Sequence, residues 1–317
     1  MNSISFSRDR LFIPVLAALL VIGFFTPNWI RFLIQISMAG GLVSLGVMLQ
    51  MRAGLVSFGQ GFYFCLGGYA AGMSSTFLGV TDVIAMLVAG VVLSFGIALI
   101  LGVLLARYRE IFFAMLTLAL SMILFGVLAK SESLGSTDGF NLNNISLLGW
   151  TLEGEAKRIT TYLLSAIVTL VCCFWALKYL QSSAGTIGDA IRENELRLEY
   201  LGASANRAVY MTYVFAAVLS ALGGVLAAIS IGHVDPEMSY WTTSGQFVFV
   251  TLLSGTGSVV APIVGSFLLE LLRLYAVEWS PNTWQIIMGA AMLLTIIFLP
   301  KGLWSLLLRG LDRKASS

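Results

Sequence analysis

Polar breaks divide this sequence into about ten apolar segments, near residues 11–29, 32–50, 57–79, 83–106, 111–129, 160–180, 208–231, 246–257, 259–278 and 283–300. Most run close to 20 residues, the length of helix that crosses a hydrocarbon core of about 30 Å. The pattern therefore predicts an all-α polytopic membrane protein of about ten transmembrane or half-membrane helices. Arg8 and Arg10 precede the first run, and Pro27-Asn28-Trp29 follows it with no small-x-small cleavage pattern. The first run reads as a retained span.

The eighth segment is different. Gln246 to Leu253 is a short apolar stretch, roughly 12 Å of helix, and it ends in Ser254-Gly255-Thr256-Gly257-Ser258. A new helix then begins with Pro262 in its first turn, where a missing N–H costs nothing. Gly54-Leu55-Val56-Ser57-Phe58-Gly59-Gln60-Gly61 has the same character. Broken backbone at membrane depth is tolerated where it is buried in protein or lines a watery cavity. Gly54, Ser57, Gly59, Gln60, Gly61, Gly255, Gly257 and Ser258 are thus candidates for a passage or its gate, with plain packing as the other reading. Gly68 and Gly72 form a small-xxx-small pair, which suits close helix association with or without a transport role.

Composition agrees with lipid as the solvent: 58% of the 317 residues are hydrophobic and 11% charged. A net charge of +2, scattered along the chain, gives no footprint for nucleic acid. The distribution of Lys and Arg says more than the sum. With the N-terminus inside, thirteen of the 18 fall on the cytoplasmic side, leaving Arg31, Lys130, Lys157, Arg158 and Arg273 outside. That bias places both termini in the cytoplasm. Two long polar loops remain, an outer one over 130–159 and a cytoplasmic one from Gln181 to Arg207. No second globular domain fits, so residues 1–317 read as one transmembrane domain.

Within the cytoplasmic loop, residues 186–202 read as an amphipathic helix. Thr186 and Asp189 have capping-box spacing, and Gly202 sits where a left-handed C-terminal cap is favoured. Ile187, Ile191, Asn194, Leu198 and Leu201 form one stripe, and Glu193 and Arg197 are placed for an i,i+4 pair. Such a helix could lie on headgroups. Its four acids against two arginines suit an anionic lipid surface poorly, and docking into a protein partner is the better account.

The run Gly185-Thr186-Ile187-Gly188-Asp189-Ala190-Ile191-Arg192-Glu193-Asn194-Glu195, followed by Leu201-Gly202, resembles the cytoplasmic motif of branched-chain amino acid permeases of the LivM type. Those are membrane subunits of bacterial ATP-binding-cassette importers. Gly54-Leu55-Val56-Ser57-Phe58-Gly59-Gln60, Asp235-Pro236-Glu237 with Trp241-Thr242-Thr243-Ser244-Gly245, Gly255-Thr256-Gly257-Ser258 and Leu299-Pro300-Lys301-Gly302-Leu303 agree in the same order. The resemblance implies an inner-membrane permease whose partners are a second permease subunit, two ATP-binding subunits and a periplasmic substrate-binding protein. It implies ATP and Mg on the ATPase chains and no cofactor on this one. It also implies that Gly185, Asp189, Arg192, Glu193, Asn194, Glu195 and Gly202 couple to the ATPase. Two departures, Gly135-Ser136-Thr137-Asp138-Gly139-Phe140 in place of a Thr-Gly-Gly cluster and His233 in place of an aromatic, bear on the substrate. Urea and small aromatic acids stay open beside branched-chain amino acids.

Other classes find less support. The phosphate-cradling pattern G-x-x-x-x-G-K-[ST] does not occur, so ATP hydrolysis is not expected here. An ion-coupled secondary transporter needs mid-span carboxylates, and only Glu270, three residues before Arg273, lies well within an apolar segment. The lone His233 and the cysteines Cys65, Cys172 and Cys173 have no metal-ligand spacing.

Overall fold

The computed structural model describes residues 23, 26–142, 145–151, 154–298 and 302–304. Most of the expected first span lies outside these residues. Every later apolar segment falls on a helix: α1 (Asn28–Arg52), α2 (Gln60–Leu78), α3 (Val83–Leu105), α4 (Glu110–Lys130), α5 (Gly154–Gln181), α7 (Ala205–Ile231), α8 (Trp241–Ser254), α9 (Ala261–Trp279) and α10 (Trp284–Phe298). The polar loop after α5 carries α6 (Ser183–Tyr200). Among the described residues, α1, α3, α4, α5 and α7 are long and apolar enough to cross a membrane.

Two helices differ from the sequence expectation for identifiable reasons. α5 starts at Gly154 rather than near 160. Its polar first turns suit a helix start, where Glu155 complements the exposed N–H groups, so the loop is shorter than 130–159. α8 is longer than its apolar run because Trp241-Thr242-Thr243-Ser244-Gly245 is helical, yet at 14 residues it still reaches only about 21 Å. It stops at Gly255, with φ 84°, and Pro262 opens α9 as the pattern predicts.

α7 is the central post of the bundle and packs against α1, α2, α3, α5 and α6. Small residues bring backbones together there. A Cβ on Gly223 would lie 2.6 Å from the Ala39 carbonyl of α1, and one on Gly46 would lie 2.9 Å from the Ala216 carbonyl. A Cβ on Gly67 or Gly224 would overlap the facing carbonyls of Ala221 and Phe64 across the α2–α7 contact. The expected small-residue pair serves another purpose: Gly68 faces Met238 and Val234, and Gly72 faces Phe140. α3 and α4 lie outside, with Val88, Val92, Ile100, Ile111, Phe112 and Ile123 exposed as a surface for hydrocarbon.

At the end of the bundle where α4 finishes and α5 starts, the connecting loop folds over the helices. Two short 3₁₀ turns (Glu132–Leu134 and Ser136–Asp138) lead into β1 (Phe140–Asn141). β1 pairs antiparallel with β4 (His233–Val234), and β2 (Ser146–Leu147) pairs with β3 (Trp150–Thr151). His233 Nδ1 and Asn141 Oδ1 lie 2.8 Å apart, so the lone histidine fastens the loop to the chain after α7. All three cysteines are buried and free.

Candidate functional site

The glycine-rich break after α1 begins as a helix stop. Gly54, at φ 76°, lets Leu55 N–H donate to Gln50 O at 3.0 Å and its own N–H to Met51 O at 3.1 Å. That closes α1 with the paired bonds of a left-handed cap. The chain then runs back inward. Phe58 N–H donates to Thr117 Oγ1 of α4 at 3.2 Å, and Gly59 N–H donates to Ser57 Oγ at 3.2 Å. Gln60 Nε2 donates to Gln50 Oε1 at 2.8 Å, while Gln60 Oε1 accepts a short bond from Ser220 Oγ of α7. Ser57, Gly59, Gln60 and Gly61 are all buried, whereas Gly54 is exposed.

From the opposite end, β4 and the 3₁₀ turn Pro236–Ser239 descend to the same level. Gly61 N–H donates to Ser244 Oγ at 3.1 Å, and Ser121 Oγ of α4 lies 3.4 Å from the same hydroxyl. The non-helical segments 55–59 and 232–240 thus lead into the first turns of α2 and α8, which meet about halfway along α4, tied by Thr117, Ser121 and Ser244. Only the first was singled out from the sequence as a break. The signal for the second lies in Gly232, which ends α7 at φ 78°, and in Asp235-Pro236-Glu237 between two apolar runs.

Gly255, Gly257 and Ser258 lie elsewhere, beyond the C-terminal end of α8. Gly255 stacks on Gly302, where an added Cβ would lie 2.5 Å from the Gly255 backbone, and Leu303 N–H donates to Leu253 O at 2.8 Å. Gly255 and Ser258 are buried, while Gly257 is exposed.

α6 departs from the expected helix over 186–202. It starts at Ser183, and Thr186 Oγ1 donates back to Ser183 O at 2.9 Å in place of capping. Asp189 is free to pair with Arg52 at the end of α1, at 3.1 and 3.2 Å. At Asn194 the backbone is extended, with φ −166° and ψ 102°, so α6 is two helical pieces. Asn194 Oδ1 accepts from Arg197 N–H at 2.9 Å and caps the second piece. This break removes the i,i+4 spacing, and Glu193 and Arg197 form no ion pair among the described residues. Gly202, at φ 84°, takes the left-handed position its sequence context predicts.

The second piece has its own anchor. Arg109, just before α4, donates to Glu195 at 2.9–3.1 Å and to Asn206 Oδ1 of α7 at 2.7 Å. Arg109 Nη1 also donates to the Ala106 carbonyl at 2.6 Å. The structure brings the first break and α6 together as well: Gly54 faces Arg192, and Gly188 faces Ala53. Among the site residues expected from the sequence, Asp189 and Glu195 hold α6 to two other helix ends. Arg52 and Arg109 are the partners that sequence reasoning missed, because pairs separated by 137 and 86 residues leave no local signal. Among the described residues no group of His, Cys, Asp and Glu could hold a metal ion.

A helical membrane bundle entered from both ends by buried, non-helical backbone has the build of a transport permease. The chain belongs to the family described as branched-chain amino acid transport system / permease component, whose model matches residues 29–296. It is 25% identical over 277 residues to the high-affinity branched-chain amino acid transport system permease protein LivM of Salmonella typhimurium, covering 79% of this chain and 64% of that protein. LivM of Escherichia coli is 23% identical over 273 residues, with the same coverage. The corresponding BraD protein of Pseudomonas aeruginosa is 23% identical over 277 residues, covering 83% of this chain and 90% of that protein. The chain spans just under two thirds of the length of the LivM relatives. No solved structure matches it.

Proposed function

We propose that this chain is the membrane-spanning permease subunit of an ATP-binding-cassette importer in a bacterial inner membrane, carrying branched-chain or related hydrophobic amino acids. Both termini face the cytoplasm, and α6 is the element that receives the ATPase. A second permease subunit, two ATP-binding subunits and a periplasmic substrate-binding protein complete the assembly, and ATP and Mg belong on the ATP-binding subunits.

The observation that carries this reading is the surface of α6. Leu196, Tyr200 and Leu201 are 68%, 89% and 79% exposed beside the charged Arg192, Glu193, Arg197 and Glu199. Large apolar side chains grouped among charges at the polar end of a bundle call for a covering protein. Docking also supplies the stability that so short a helix lacks alone. A cysteine at Leu201 is expected to cross-link to the ATP-binding subunit in the assembled complex, and its reaction with a water-soluble maleimide should fall about tenfold on assembly. Full labelling without cross-linking would overturn the docking role. In proteoliposomes, uptake should track internal ATP and survive a protonophore. Uptake that collapses with the proton gradient would instead make the protein ion-coupled.

The two glycines after α8 separate passage from packing. Gly257 is exposed, and a Cβ there meets only Trp304 at an ordinary 3.5 Å. Gly257→Leu should therefore assemble normally and reduce uptake about tenfold or more by filling the passage. Unchanged uptake in the assembled variant would leave this break with a packing role alone. Gly255→Ala, at φ 84° and against Gly302, should instead lower the yield of folded protein.

A further inference from the structure

A cavity of about 600 Å³ opens at the end of the bundle opposite α6, between the start of α1, the start of α5 and the end of α7. Arg31, Lys157 and Arg158 line it together with Asn28, Trp29 and Phe32. Arg31 is only 7% exposed. Its guanidinium donates to Gly23 O at 2.9 Å, Asn28 Oδ1 at 3.1 Å and Thr26 O at 3.3 Å, all of them neutral oxygens. No described carboxylate forms an ion pair with Arg31, Lys157 or Arg158. Glu155 is the nearby acid, and its Oε1 is engaged by Asn28 Nδ2 at 3.2 Å. Among the described residues three cations stand against one acid, so the described lining carries net positive charge.

Burying a guanidinium without a counter-ion is costly, so the site gains from an anion that brings its own charge. Its volume falls in the range of small-ligand sites. Trp29 and Phe32 are 54% and 47% exposed beside the cations, an amphipathic rim of the kind that settles at the headgroup level of a membrane. A hydrated inorganic anion would use the cations and leave the aromatics bare. A lipid uses both, placing its phosphate among the cations and its glycerol and upper acyl chains against the rings.

We propose that this cavity binds the phosphate headgroup of an anionic phospholipid. Arg31 provides the fixed, buried charge, and its planar fork suits phosphate oxygens. Lys157 and Arg158 close over the headgroup from the first turns of α5, and the lipid pins the start of α1 to the start of α5. This site is separate from α6 and from the polar junction on α4.

The test uses the full chain purified in a non-ionic detergent, titrated with phosphatidylglycerol or phosphatidylcholine and followed by native mass spectrometry. Phosphatidylglycerol should bind at one saturable site and phosphatidylcholine much more weakly. Lys157→Gln with Arg158→Gln, both at the rim, should weaken that site roughly 25-fold, since each basic residue near an anionic lipid surface contributes on the order of a fivefold factor. Lys178→Gln, at the other end of α5, should not. Arg31→Gln should weaken it as well, and the rim pair keeps the test decisive if that variant folds poorly. Equal binding of both lipids, or an unchanged affinity in the rim variant, would overturn the proposal. So would displacement of the lipid by millimolar inorganic phosphate, which would mark the site as one for free anions. Loss of substrate-binding-protein capture with lipid binding intact would show that the charges serve a protein and would equally overturn it.

Discussion

Gly224→Val is expected to leave almost no monodisperse protein after solubilisation. Gly224 lies where α7 crosses α2, and a Cβ there overlaps the Phe64 carbonyl, with the Gly68 amide nitrogen 3.1 Å away. Backbone atoms inside a helix cannot rotate aside as a side chain can, so the helices must separate. Separation would also open the α1–α7 contact, because the neighbouring Gly223 faces the Ala39 carbonyl. Overpacking usually costs about 1–3 kcal/mol, and a clash with fixed backbone at a central post belongs at or beyond the top of that range. Gly67→Val, on the other side of the contact, should behave the same way. Gly96→Ala and Gly126→Ala are the controls, because a Cβ at either position meets nothing within 4 Å. They should leave the protein unchanged or raise its stability by up to about 1 kcal/mol. Size-exclusion profiles after graded heating read all four variants. A Gly224→Val protein that elutes and melts like the parent would show that α7 is not the post on which the bundle stands.

The contact at Gly224 also marks the limit of what local sequence tells. Apolar run length places the helices well, because each must hide its backbone from lipid whatever its neighbours are. The stop at Gly54, the stop at Gly255 and the restart at Pro262 follow from the backbone chemistry of those residues. Which glycine meets which helix is a tertiary fact. Gly67 and Gly68 are adjacent on α2, yet one faces α7 and the other faces the descending segment at Val234 and Met238. α6 fails to match the local reading for a related reason. Thr186 and Asp189 have the spacing of a cap, but Asp189 has a stronger partner in Arg52, which arrives from the end of α1. Asn194 sits in the apolar stripe by spacing, yet its side chain can cap a helix, and an extended residue there lets Glu195 turn toward Arg109. In each case a charge distant in sequence decides between local options of nearly equal energy. The polar junction on α4 was half legible: the glycines of the first break announce it, while Thr117 and Ser121 look like ordinary small residues of an apolar helix.

Arg109→Ala is expected to cut uptake about tenfold or more while ATP hydrolysis by the assembled complex continues, a loss of coupling with the fold retained. This expectation rests on the proposed role of α6. Arg109 joins three elements through one guanidinium: Glu195 on the second piece of α6, Asn206 on the first turn of α7 and the Ala106 carbonyl at the end of α3. Force applied to the exposed Leu196, Tyr200 and Leu201 therefore has a short mechanical route to the start of α4. Four turns along α4 at most lie Thr117 and Ser121, which hold the junction of the two non-helical segments. The turn itself stores strain. Glu110, the residue after Arg109, has φ 50°, a left-handed conformation costing a non-glycine residue about 1–2 kcal/mol. Such a conformation persists when surrounding bonds over-determine it, and the charge-assisted bonds of Arg109 do so here. Without them the turn relaxes, and α6 moves without carrying α4. Arg109 and Glu195 are partly exposed, so the bundle should lose only about 1 kcal/mol on removal of either, and the assembled complex should still be recovered. The paired exchange Arg109→Glu with Glu195→Arg should restore part of the uptake that either single change removes. Asp189→Asn tests the other anchor independently, through Arg52 and the end of α1. Uptake and hydrolysis falling together in Arg109→Ala would reduce the residue to a structural one. Uptake at the parental level would remove it from the coupling route.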